Sequence, residues 1–170
     1  MTSAPLPLTA ADVAPRTRAT HYPEPFASRV AGRTKRALGE HFRLRNFGVN
    51  LITLQPGAMS ALYHRHTRQD EFLHLLQREL TLVMEDTRIT LTPGMCAAFP
   101  AGVAHHLINE SDSPATFLEV GDRSAGDCVS YPDDDLRAVA SGRGWIFMHR
   151  DGSPYPALPT SPAPGVSGAP

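Results

Sequence analysis

His64, Arg65 and His66 form an H-x-H unit at the end of an extended run, Ala58 to His66, and Glu71 stands five residues further on. Side chains alternate along a strand, so both imidazoles project to one side and can reach one ion. Such a pair alone recurs by chance on protein surfaces, and its neighbours carry the weight. The polar stretch Thr67 to Asp70 reads as a turn that returns the chain as a second strand, which begins at Glu71 opposite the histidines. Adjacent strands lie about 4.8 Å apart, and imidazole nitrogen or carboxylate oxygen binds a transition metal at roughly 2.0–2.2 Å, so a carboxylate there is within reach. A divalent ion held in this way acts as a Lewis acid or a dioxygen carrier.

The elements that must position these residues are short. Between about Arg45 and Val120 the chain alternates brief apolar runs with turn residues, at the spacing of all-β folds. The runs are Arg45 to Leu54, Ala58 to His66, Glu71 to Gln77, Leu80 to Met84, Arg88 to Leu91, Met95 to Phe99, Ala104 to Asn109 and Ala115 to Val120. Between them stand separators such as Gln55-Pro56-Gly57, Thr92-Pro93-Gly94 and Pro100-Ala101-Gly102, where glycine supplies positive φ and proline pre-sets the corner. Eight such strands favour a jelly roll or barrel. Trp145 to Met148 reads as one more strand, and Asp133 to Val139 as a short helix or a loop.

Two longer patterns emerge from these pieces. The first is Gly57-x6-His64-x-His66-x4-Glu71-x6-Arg78, and the second is Gly94-x5-Pro100-Ala101-Gly102-x2-His105-x3-Asn109. Together they resemble the two motifs of the cupin superfamily. The second agrees at every fixed position; the first has a leading gap one residue longer than the commonest form, and Arg78 where the closing glycine is expected. The flanking pieces His21 to Phe26, Phe117 to Gly121 and Asp151 to Tyr155 are similar to a bacterial branch of small single-domain cupins. The resemblance implies an all-β jelly-roll barrel with His64, His66, Glu71 and His105 as ligands to one divalent metal inside it. Iron, manganese, zinc, nickel, cobalt and copper all remain open. Three neutral imidazoles and one carboxylate leave coordination positions for water, dioxygen or substrate, unlike closed, thiolate-rich structural zinc sites.

Glu119 is the remaining candidate, a catalytic one. It sits in the apolar run Phe117 to Val120, so it either faces outward or lies inside near the ion, where it could act as a general acid or base. His74 and His106 have the opposite strand parity to Glu71 and His105 and should face away from the metal. His21, His41 and His149 read as surface or packing residues, and Cys96 as a small buried hydrophobe.

Eleven of the 16 prolines fall in the first 25 residues or after Gly152, which marks the ends as arms. The expected organisation is a flexible N-terminal arm over 1–20, a cupin domain over 21–156 and a disordered tail over 157–170. Residues 1–48 carry eight Lys or Arg against three acids, and the rest carries eight against fourteen. The acidic body argues against nucleic acid as a partner. No secretory signal, spanning segment or C-x-x-C pair is readable, so a soluble cytoplasmic protein with reduced thiols is expected, as a homodimer like many cupins. The leading functional expectation is a metal-dependent enzyme on a small organic molecule, with oxygenase chemistry first and isomerase, lyase or cyclase chemistry next. The alternatives are a non-catalytic module that binds a sugar or organic acid, and a ligand-sensing regulator.

Overall fold

Alternating apolar and polar residues drive the middle of the chain into antiparallel strands, each burying one face. The computed structural model describes residues 5–17, 20–141 and 144–155. A 3-10 turn, Ala10–Asp12, is followed by α1 (Phe26–Arg29), β1 (Arg33–Arg36), α2 (Leu38–His41), β2 (Phe47–Leu54) and β3 (Arg65–His66). Then come β4 (Glu71–Gln77), β5 (Leu80–Met84), β6 (Thr87–Leu91), β7 (Cys96–Phe99), β8 (His105–Ile108) and β9 (Ala115–Asp122). The last three are β10 (Cys128–Tyr131), β11 (Leu136–Ser141) and β12 (Gly144–Met148). They form a five-stranded sheet, β1-β2-β9-β4-β7, a four-stranded sheet, β12-β11-β10-β3, and a three-stranded sheet, β6-β5-β8.

The all-β architecture agrees with the sequence reading, but among the described residues no ladder closes the sheets into a continuous barrel. The reason lies in Ala58 to His66, expected as one strand, of which only Arg65–His66 is regular. Ser60 donates its N–H to Leu107 O (2.8 Å) and accepts Leu107 N–H on its hydroxyl (2.9 Å), so a side chain replaces part of the ladder. Single bridges, Met59 to Ile108 and His64 to His105, do the rest of the joining.

Two apolar clusters flank the interior. Ile52, Leu54, Leu73, Leu75 and Phe117 of the five-stranded sheet pack with Leu80, Leu82, Leu91 and Leu107 of the three-stranded one. Tyr22, Phe26, Val30 and Leu62 pack with Val129, Tyr131, Leu136 and Ala138 of the four-stranded one. Each fully buried side chain of this size stabilises the fold by roughly 1.5–3 kcal/mol relative to exposure.

Several expectations are corrected. Asp133 to Val139 is neither helix nor loop throughout, because Leu136 and Ala138 are buried while Arg137 is exposed, the period-2 pattern of strand β11. Cys96 is exposed, since Ala97 and Phe99 take the inner face of β7 and parity sends Cys96 outward beside His74. Within the expected 1–20 arm most described residues are exposed, and contacts to the rest of the fold centre on Val13 and Arg16. Val13 is buried, its carbonyl accepts from Arg36 Nη1 (2.5 Å), and Arg16 N–H donates to Lys35 O (2.9 Å). The tail over 157–170 lies outside the described residues. Among the described residues no helix is long and apolar enough to cross a membrane.

Arg78, the departure from the first motif, lies between β4 and β5 with φ of 63° and its side chain exposed. Left-handed backbone costs a residue with a Cβ about 1–2 kcal/mol, whereas glycine adds unfolded-state entropy worth about 0.4–1 kcal/mol. Relief of strain is the larger effect. Arg78→Gly should therefore raise the melting temperature by about 1–3 °C, with metal content unchanged. A thermal melt giving a lower temperature would show that this turn favours arginine for another reason.

Candidate metal centre

Four side chains from separate parts of the fold meet between the two clusters. His64 ends the irregular segment and exchanges backbone hydrogen bonds with His105, the first residue of β8 (His64 N to His105 O 3.2 Å; His105 N to His64 O 2.8 Å). His66 pairs with Val129 on β10, and Glu71 opens β4 with Phe99 on one side and Gly121 on the other. The imidazole Nε2 atoms of His64, His66 and His105 lie 3.5, 3.6 and 3.2 Å from one atom, Glu71 Oε2. These separations exceed the 2.7–2.9 Å of a charge-assisted hydrogen bond, so the four groups surround a point more than they bond to one another. The ligand atoms of His64, His66 and Glu71 all lie within 4.8 Å of one another and could hold a metal ion.

The outer nitrogens fix the chemistry of the inner ones. His64 Nδ1 faces Leu62 O at 2.9 Å, His66 Nδ1 faces Asp127 Oδ2 at 2.5 Å, and His105 Nδ1 faces Val103 O at 3.2 Å. Two carbonyls and a carboxylate can only accept, so each imidazole in its neutral form carries its proton on Nδ1 and turns an Nε2 lone pair inward. That donor set fits a transition metal with open positions. Packing holds the rings in place. Phe99 stacks on His105 (3.6 Å, 7°), Tyr131 lies over His64 (6.1 Å, 27°) and Trp145 meets His66 edge-on (6.0 Å).

Asp127 is the group that sequence reasoning missed. It is 0% exposed, and its Oδ1 accepts from Thr67 N, Thr67 Oγ1 and Arg68 N at 2.8–3.1 Å while Oδ2 takes His66. Burial pushes its carboxyl pKa up, but the His66 and Arg68 hydrogen bonds outweigh that and hold it below its ordinary value. No local pattern announces it, because its partners lie about 60 residues earlier in the chain. Burial likewise works against the Glu71 carboxylate, yet His105 and His64 keep its pKa well below the usual range. For His64 the desolvation penalty is smaller than the pull of Glu71, and its pKa is raised.

The cluster opens into a cavity of about 480 Å³. Glu119 lines it, which answers the question of its face; its Oε1 accepts from Lys35 Nζ (2.7 Å) and Asn50 Nδ2 (3.0 Å). Because Glu71 pairs with Gly121 and Glu119 lies two residues back on the same strand, the two carboxylates are diagonal neighbours, about 7–8 Å apart at the backbone. His21 is exposed, as its reading as a surface residue expects, and stands among the residues that line the cavity. His74 pairs with Cys96 on the outer face, and His106 meets Tyr63 edge-on at 5.5 Å; neither lines the cavity. His149 stacks on Tyr155 and bonds Asp135, and His41 packs on Phe42.

A fold of this kind around three imidazoles and a carboxylate defines a class, and comparison with known proteins gives the same one. The family model described as Cupin domain matches residues 50–121. The chain is 38% identical to a solved structure from Silicibacter pomeroyi named as a sugar phosphate isomerase from a cupin superfamily, covering 89% of this chain and 98% of that one with a TM-score of 0.83. A candidate sugar phosphate isomerase from Acidithiobacillus ferrooxidans is 30% identical over 70% of this chain and 77% of its own (TM-score 0.65). A polyketide cyclase from Streptomyces resistomycificus, 18% identical over 69% of this chain and 78% of its own (TM-score 0.57), shares the fold. No curated protein matches. The chain belongs to the cupin superfamily.

Asp127→Asn should keep the Oδ1 acceptor for Thr67 and Arg68 but present an amide N–H to His66 Nδ1. The imidazole then places its proton on Nε2 and loses its inward lone pair. Metal affinity should fall about 10- to 100-fold with folding retained, measured by competition titration against a chelator. Affinity unchanged from the wild type would remove Asp127 from this role. Since a metal must displace the proton that Glu71 favours on His64, affinity should also rise steadily between about pH 6 and about pH 8, with proton release on binding. A flat profile from the same titration across that range would contradict it.

Proposed function

We propose that this chain is a metal-dependent isomerase of a small phosphorylated sugar, with His64, His66, Glu71 and His105 as the metal ligands. The observation that carries the reading is the three Nε2 atoms gathered around Glu71 Oε2, at a cavity that also holds a second carboxylate, Glu119. A bound divalent ion would polarise a carbonyl or hydroxyl of the substrate as a Lewis acid. Conversion of an aldose to a ketose moves hydrogen between adjacent atoms of one molecule and consumes no co-reactant. It needs a group that takes a proton from one carbon and returns it to the next.

Glu119 is suited to that task. It accepts two hydrogen bonds, both on Oε1, so Oε2 faces no donor among those bonds and is placed to exchange a proton. Lys35 and Asn50 hold the carboxylate in position without occupying that oxygen. Phe99, Phe117 and Leu107 supply apolar lining, which limits water at the reacting carbon. Of the chemistries expected from the sequence, isomerisation takes precedence over oxygenation because the 38% identical relative spanning nearly the whole chain is named as an isomerase.

The test uses protein purified without a histidine tag, its metal measured by elemental analysis, and incubated with aldose and ketose phosphates in deuterated water. Proton transfer through a side chain should place deuterium at the carbon next to the carbonyl, read by NMR. Glu119→Gln should lower that exchange about 10²- to 10⁴-fold while leaving metal content intact. Absence of both exchange and interconversion across pentose and hexose phosphates in metal-loaded protein would overturn the isomerase reading.

A further inference from the structure

The cavity beside the metal cluster is lined by four basic side chains, and three of them are engaged within the protein. Arg16 Nη2 lies 2.5 Å from Glu40 Oε1, and Lys35 Nζ lies 2.7 Å from Glu119 Oε1. Arg33 donates to the Ser60 carbonyl. Arg123 differs. Its side chain makes one hydrogen bond, from Nη1 to Leu44 O at 3.1 Å, and among the described residues no carboxylate pairs with it. Its neighbour Asp122 has the opposite strand parity, and the Asp122 oxygens accept from Asp70 N–H (3.1 Å) and Ser124 N–H (2.7 Å). Arg123 therefore brings to the cavity a positive charge that no carboxylate among the described residues offsets.

The position of Arg123 follows from strand alternation. Phe117, Glu119 and Gly121 of β9 line the cavity, and Arg123 continues that series just past the end of the strand. Gly121 pairs across the sheet with Gly48 on β2, and the next inward pair is Glu119 with Asn50. Because neither glycine carries a side chain, the inner face at that level is bare backbone. Two side chains lean over it. A Cβ on Gly121 would stand 3.6 Å from Glu71 Oε1, and a Cβ on Gly48 would stand 4.0 Å from both Nε and Nη2 of Arg123. A carboxylate of the metal cluster and a guanidinium thus flank one gap in the wall, with Glu119 in the adjacent row. The Nε–Nη2 edge that overhangs Gly48 is the edge opposite the Leu44 bond, and it presents two parallel N–H donors.

We propose that Arg123 seats the phosphate group of the substrate above the Gly48–Gly121 pair and so selects a phosphorylated sugar over a neutral one. Two parallel donors of a guanidinium match two phosphate oxygens. The carbonyl end of the same molecule then lies toward the metal cluster and Glu119. Glu119 and Arg123 are four residues apart, at most about 14 Å along the backbone, a span that a five- or six-carbon sugar phosphate covers with a contact at either end. This inference rests on the isomerase reading for the identity of the sugar, while the seat itself rests on Arg123 and the two glycines.

Calorimetry on metal-loaded wild type, Arg123→Met and Arg123→Lys, titrated with ribose 5-phosphate and with ribose, tests the seat. Fluorescence of Trp145, the single tryptophan and a cavity residue, is a second readout. Wild type should bind ribose 5-phosphate more tightly than ribose, by a margin that shrinks as salt is added, because Arg123 is exposed. Arg123→Met should cut that margin about tenfold and weaken its dependence on salt, with ribose affinity unchanged. Arg123→Lys should fall between, since it keeps the charge and loses the fork. Circular dichroism and metal content guard against a folding defect; if Arg123→Met does not fold, Arg123→Lys carries the test with the same sign.

A folded Arg123→Met that prefers ribose 5-phosphate over ribose as strongly as wild type would overturn the proposal, as would a wild type that binds neither sugar or both equally. Deuterium exchange that depends on Glu119 would survive the first of these results, which separates the two readings. Conversely, a phosphate preference that depends on Arg123 in a protein that exchanges no deuterium would sink the isomerase reading and keep the seat.

Discussion

The two backbone hydrogen bonds between His64 and His105 tie this structure together. They form the bridge that joins the three- and four-stranded sheets at this point, and they bring the two sequence patterns into contact across about 40 residues of chain. Because the bridge fixes two imidazoles side by side, what remains is His66, two residues along from His64, and a carboxylate on the facing sheet, which β4 supplies at its first residue. Without the bridge the segment Ala58 to His66 has little regular pairing of its own to hold the histidines. The site and the junction of the sheets are therefore one feature.

Burying such a group of polar side chains is costly unless every one is satisfied. The structure meets this by making each outer partner of the imidazoles an acceptor. Two are backbone carbonyls close in sequence, at Leu62 and Val103, and the third is Asp127, which is itself held by three donors from Thr67 and Arg68. A second polar system, Lys35, Asn50 and Glu119, is satisfied across β1, β2 and β9 of the five-stranded sheet. The apolar clusters on either side give these networks a rigid and partly dry setting. In that setting a carboxylate and its partners interact more strongly than they would in water.

The same economy governs the N-terminal segment. Three of its basic residues lie on the edge strand β1, from which Arg33 and Lys35 turn to the cavity and Arg36 turns to Val13. Strand alternation alone produces this division. The basic segment thereby contributes to the wall of the cavity, and the docked residues near Val13 hold that edge of the sheet in place.

The sequence alone determined the all-β class, the bounds of β4 and β5 to the residue, and the identity of the four side chains that meet at the centre, because alternation and turn chemistry are local and motif spacing records them. It left the face of Glu119 open and gave no hint of Asp127, Tyr131 or Arg33 at the site. Those are matters of which strands lie side by side. Asp127 reaches His66 only because β10 pairs with β3, and Glu119 turns inward only because β9 is inserted between β2 and β4. A strand's own residues state that it has two faces; which face becomes the interior is decided by its neighbours, and those are chosen by the tertiary packing.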